Sequence, residues 1–180
     1  MIARVLFVCA GVLLHGAASA EGVAQPYAGE EQREIASLSE GDVTALLAGE
    51  GWGFAKPAEL NGYPGPAHVL ESADTLDLDA DQRAAIAAIY DEMRAEAQAL
   101  GRKYVETEAA LDNAFASGSI DDAALADILR EAAGVRASLR EVHLAAHLRT
   151  RPLLRPHQRM VYQRLRGYAG NDNHGSHGAH

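Results

Sequence analysis

The chain has 180 residues, 48% of them hydrophobic and 6% aromatic, with one cysteine and 25 acidic against 16 basic side chains, for a net charge of −9. This length suits one domain rather than two. A single cysteine, Cys9, excludes a disulfide framework, a thiolate zinc site and an iron–sulfur cluster, and the negative balance argues against nucleic acid as a partner.

Residues 1–20 read as an export signal: Arg4 near the start, an apolar run from Val5 to Leu14, and Ala18-Ser19-Ala20 as a small-residue cleavage site. Cleavage there removes Cys9 and His15 and, with Arg4, moves the net charge from −9 to −10. Cys9 is a poor lipid anchor, because Val8 precedes it and the apolar stretch continues beyond it. No later stretch approaches the roughly 18 apolar residues needed to cross a bilayer. The expectation is a periplasmic protein that does not span the membrane.

Residues 21–40 are acidic and weakly patterned, which predicts a flexible arm. A short helix should follow, capped by Ser39 or Asp42 and carrying Val43, Leu46 and Leu47, before a Gly/Pro-rich connection to residue 66 that holds Trp52, Phe54, Leu60 and Tyr63. Large apolar groups in such a connection normally tuck it onto a core. Residues 67–168 should form a helical hairpin domain. From Asp79 to about Ser117, apolar residues recur in steps of three and four through Ile86, Ile89, Met93, Ala97, Leu100 and Tyr104. A second series runs Leu125, Ile128, Ala132, Val135, Leu139, Val142 and Ala146, with Ser117-Gly118-Ser119 between the two. The pattern predicts two long antiparallel helices and a last helix from about Pro156 to Arg166, an all-α fold. Residues 169–180 are expected to be a disordered tail.

Two long helices cannot cover all of their apolar seams alone, and acidic residues crowd the N-terminal half while arginines crowd 130–168, so a homodimer is expected. Charges paired within one chain are the competing reading.

Leu78-Asp79-Ala80-Asp81-Gln82 opens the first long helix, and Leu154-Arg155-Pro156-His157-Gln158 opens the last. Both follow Leu-x-x-x-Gln at a helix start, with Asp79 as a cap and Pro156 in the first turn, and antiparallel register brings them together. This pair resembles the Leu-Thr-x-x-Gln motif of the Spy/CpxP superfamily of small exported helical proteins, over about residues 66–168. The resemblance implies a cradle-like dimer acting as an ATP-independent chaperone, an envelope-stress modulator or a heavy-metal sensor. The pattern departs from the family where Asp79 and Arg155 replace threonine.

His143 and His147 stand four apart on the second long helix, a spacing that suits one metal ion, and antiparallel register places Glu92 and Glu96 opposite. The four residues are read either as a two-His, two-carboxylate site or as seam and surface groups. His174, His177 and His180 lie in the tail and are read either as loose ligands for zinc, copper or nickel or as part of a solvated tail. Arg149, Arg151, Arg155, Arg159 and Arg164, beside Tyr162, offer a surface for acidic unfolded clients, or else a solvated face paired with the acidic half. No phosphate loop, dinucleotide fingerprint or nucleophile elbow occurs, and a non-enzyme requiring no cofactor is expected. The leading expectation is a chaperone or stress modulator that binds unfolded envelope proteins or a membrane sensor protein; the alternative is a heavy-metal sensor or binding protein.

Overall fold

The computed structural model describes residues 25–168, so the signal-like residues 1–20 and the tail histidines lie outside the described residues. Residues 25–31 belong to a separate compact unit and contain turns closed by the Ala28 amide on the Gln25 carbonyl and the Glu30 amide on the Tyr27 carbonyl, both at 3.0 Å. The second unit, from Gln32, is all helical: α1 Glu40–Ala48, α2 Lys56–Leu60, α3 Pro66–Glu71, α4 Ala80–Ala116, α5 Asp122–Thr150 and α6 Pro156–Leu165, with a 3-10 turn at Arg151–Leu153.

The two long helices form the hairpin that the periodicity predicts. At 1.5 Å per residue, α4 runs about 55 Å and α5 about 43 Å. Asp79 caps α4 by accepting from the Gln82 amide, Asp121 caps α5 by accepting from Ala124, and Ser39 caps α1 by accepting from Asp42. Leu46, Ala97, Leu139 and Tyr104 make the core near the middle of the hairpin. Ile35 and Leu38, 6% and 4% exposed, join that core, so the expected arm of residues 21–40 is not uniformly loose: an apolar pair three apart folds onto α1 and α4.

The open end of the hairpin is closed by the two Leu-x-x-x-Gln segments. Leu78 and Leu154 are buried, and the Gln82 and Gln158 amides exchange hydrogen bonds of 2.9 and 3.0 Å. Gln82 also donates to the Leu153 carbonyl, and Gln158 to those of Leu76 and Asp77, while its oxygen accepts from the Arg155 amide at 2.8 Å. Arg155 reaches Asp79 across the same joint at 2.7 Å. Each glutamine thus satisfies its own helix start and the facing segment, and nearly every polar atom of a buried side chain finds a partner.

The two glycines inside the long helices differ in kind. A Cβ at Gly101 would lie 2.1 Å from the Leu46 carbonyl oxygen, so this glycine is what lets α1 press against α4. A Cβ at Gly134 would meet nothing. Gly101→Ala should destabilise by roughly 1–3 kcal/mol of overpacking, more than the about 1 kcal/mol gained in helix propensity, whereas Gly134→Ala should stabilise by up to about 1 kcal/mol. Urea midpoints of the two variants, moving in opposite directions, check this.

Candidate functional site

His143 and His147 sit one turn apart on the inner face of α5, and both are buried, at 3% and 6% exposure. The connection from Gly49 to Pro66 lies over them. Phe54 stacks on the His143 ring at 6.1 Å with 26° between planes, and the Tyr63 carbonyl lies 2.7 Å from His147 Nδ1. A carbonyl only accepts, so Nδ1 carries the hydrogen and the neutral ring presents its lone pair at Nε2. Gly65 makes the approach possible: a Cβ there would stand 2.7 Å from His147 Cε1 and 2.9 Å from Nε2.

Glu59 faces the same point, with Oε1 3.1 Å from that position. Its two oxygens accept from the Tyr162 hydroxyl at 2.9 and 3.0 Å. Burial, and then the charge of Glu59, push the Tyr162 phenol well above its usual range. His143 Nε2 is buried and has no partner, an orphaned group of the kind that normally marks a ligand or strain. Burial first, and the neighbouring His147 second, hold the His143 imidazole below its ordinary pKa, so its lone pair is available at neutral pH. Both histidines line a cavity of about 850 Å³ together with Glu59, Tyr90, Met93 and the His68–Glu71 pair, whose Nδ1 and Oε2 are 3.0 Å apart.

Glu92 and Glu96 do not join this cavity. They line a separate groove with Ser138 and Glu141, and Glu92 is exposed and paired with Arg149 at 2.8 Å, which holds its carboxyl below the usual range. The reason is helical rotation: Met93 and Ala97 are the buried positions of α4, and the residue before each lies about 100° round the helix. The expected two-His, two-carboxylate site with these glutamates therefore does not form. Among the described residues, no set of three or more His, Cys, Asp or Glu side chains stands close enough to hold a metal ion. What the cavity offers is two imidazoles within one turn and a carboxylate nearby. Glu59 on α2 and His68 on α3 were missed because helices of five and six residues are too short for a periodicity that says which face of the hairpin they will cover; the one signal was the Gly and Pro density of Asn61-Gly62-Tyr63-Pro64-Gly65-Pro66 between them.

The expected client surface is also rearranged. Tyr162 is fully buried and presents nothing to a client. Arg149 and Arg155 are in ion pairs with Glu92 and Asp79, Arg159 donates to the Leu154 carbonyl at 2.9 Å, and Arg151 stacks over Tyr63 at 4.7 Å. Of the five arginines, Arg164 alone has no such contact among the described residues. His174, His177 and His180 lie outside the described residues.

A family profile described as heavy-metal resistance matches residues 43–161, from α1 through most of α6 and across both histidines. The chain belongs to the heavy-metal-resistance family. This family lies within the Spy/CpxP-like helical superfamily, in agreement with the paired Leu-x-x-x-Gln segments. No curated protein and no solved structure matches the chain significantly.

Two outcomes follow from the buried pair. Gly65→Ala should displace His147 and weaken any ligand held by the pair while leaving the helical circular dichroism unchanged. In metal-free buffer, His143 takes up a proton more readily unfolded, near pH 6.5, than folded. Its contribution to stability is therefore present above about pH 6.5 and is lost as pH falls below that value. Urea midpoints should drop from pH 7.5 to 5.5, and drop less in His143→Leu.

Proposed function

We propose that the protein binds a heavy-metal cation, zinc, copper or nickel, through His143 and His147 and acts in the periplasm as a metal sensor or buffer. The carrying observation is the buried, partnerless Nε2 of His143 one helical turn from a histidine whose Nδ1 is tied to the Tyr63 carbonyl. Metal-binding histidines characteristically donate their second ring nitrogen to a carbonyl or carboxylate, which fixes the ring and its tautomer. Imidazole donors suit zinc, copper and nickel better than magnesium or calcium. Glu59, whose oxygens accept from Tyr162 and which faces the same glycine, would have to move toward the pair to supply a third, harder donor.

The family description favours this reading over the chaperone reading, for which no groove built from Arg149, Arg155 and Tyr162 exists to argue. Export is supported by the signal-like residues 1–20, and no helix among the described residues is long and apolar enough to cross a membrane. Exposed Phe115, Leu129 and Leu148 along the hairpin support a homodimer as the working form. Binding, rather than catalysis, is the role, with a membrane sensor protein as the recipient of the signal.

Competition titrations against a chromophoric chelator test the proposal. His143→Ala/His147→Ala should lower the affinity for zinc or copper by about a hundredfold, and Glu59→Gln by about tenfold, the range for lost or altered ligand support. Deletion of residues 171–180 should leave the tight site intact. A double variant that binds as tightly as the native chain, or loss of the tight site on tail deletion alone, overturns it.

A further inference from the structure

Beside the histidine cavity, and sharing Trp52, Gly53, Lys56 and Leu60 with it, lies a second groove of about 460 Å³ that Phe54, Arg136 and Arg140 also line. We infer that this groove is the docking site for a short acidic and apolar peptide segment of a partner protein. Charge is the first reason. Arg83, Lys103, Arg130, Arg149 and Arg155 are each matched by a carboxylate, and the other cations without an ion pair do not line this groove. Lys56, Arg136 and Arg140 are exposed and have no ion pair among the described residues, although the chain carries 25 acids and a net charge of −9. Three like charges converging on one concavity repel each other until an anion arrives, and such a field steers acidic ligands.

The second reason is the apolar content. Leu60 is 56% exposed at the rim of the groove, beside an aromatic floor, so a bare anion would leave the greasy part uncovered. The floor is also preformed. Trp52 holds a left-handed backbone, φ +39°, and its indole N–H donates to Asp42 Oδ1 at 2.7 Å. The Ser39 hydroxyl, and then that indole, keep the Asp42 carboxyl below the usual range. A strained residue in such a conformation persists only where its surroundings hold it, and a rigid pocket loses little entropy on binding. The aromatic rings are engaged with one another and with Arg136: Trp52 meets Phe54 edge-on at 5.3 Å, and the guanidinium lies 5.8 Å from the Trp52 ring. Stacking of nucleic-acid bases is thereby disfavoured, and the acidic chain as a whole repels a phosphate backbone. The inference stands on this groove and not on the metal proposal.

Fluorescence anisotropy of the full chain with chelator present tests it. The probes are a short fluorescein-labelled peptide alternating Asp or Glu with Leu or Phe, the same peptide with lysine at each acidic position, and a labelled single-stranded DNA. The acidic peptide should bind, and weaken several-fold on going from low to high salt. Arg136→Glu/Arg140→Glu should lose it by about tenfold or more and gain the lysine peptide, a reversal that misfolding does not produce. Leu60→Ser should weaken binding without altering the salt dependence. Absence of binding by the native chain, equal binding by the charge-reversed chain, or preference for DNA would each overturn the inference.

Discussion

A buried imidazole has three options: pair with a hydrogen-bond partner, stay neutral with an unsatisfied nitrogen, or take a ligand. α5 carries two buried imidazoles within one turn, and they have taken different options. His147 is tied to the Tyr63 carbonyl, whereas His143 keeps a partnerless Nε2 under Phe54. Leaving a buried polar atom unpaired costs about 1–3 kcal/mol, and a chain that only needed a seam would do better with leucine at position 143. The Gly49–Pro66 connection exists in its observed form around this pair. Its glycine at position 65 is the only residue that fits against the His147 ring, and its α2 helix delivers Glu59 to the same place.

That arrangement also ties the cavity to the open end of the hairpin. Tyr162, on α6, is wholly buried among Val69, Leu76, Leu78 and Leu154, yet its hydroxyl reaches Glu59. The Gln82–Gln158 exchange pins the start of α6 to the start of α4. Glu59 therefore stands between the histidine pair and the helix that closes the fold.

Much of the fold was legible in the sequence. Apolar steps of three and four marked α4 and α5, Asp79 and Ser39 were readable as caps, and the recurrence of Leu-x-x-x-Gln pointed to a joint between two helix starts. Less legible was everything that depends on rotation or on long-range burial. Register correctly placed the level of Glu92 and Glu96 opposite the histidines, but not the angle, and 100° per residue is enough to turn a carboxylate from the seam to solvent. Tyr162 looked like a surface residue because Gln163 and Arg164 follow it and Arg159 stands three before it; it is buried because α3 and the Asp77 turn pack over α6. Ile35 and Leu38 are too sparse a pattern to declare a core contact. The histidine pair was visible as a spacing, while Glu59, Tyr63 and Gly65, which give it its environment, lie in a segment whose path no periodicity encodes.

Whether the α5 pair or the tail receives the metal is reported directly by the imidazole nitrogens. Long-range proton–nitrogen NMR spectra of the uniformly labelled chain, recorded metal-free and after one equivalent of zinc, distinguish ring nitrogens that are protonated, unprotonated and metal-bound. With the metal on α5, His143 and His147 Nε2 move to the metal-bound position at the first equivalent while exposed His157 stays unchanged. First-equivalent shifts confined to His174, His177 and His180, with the α5 pair unmoved, would contradict that proposal.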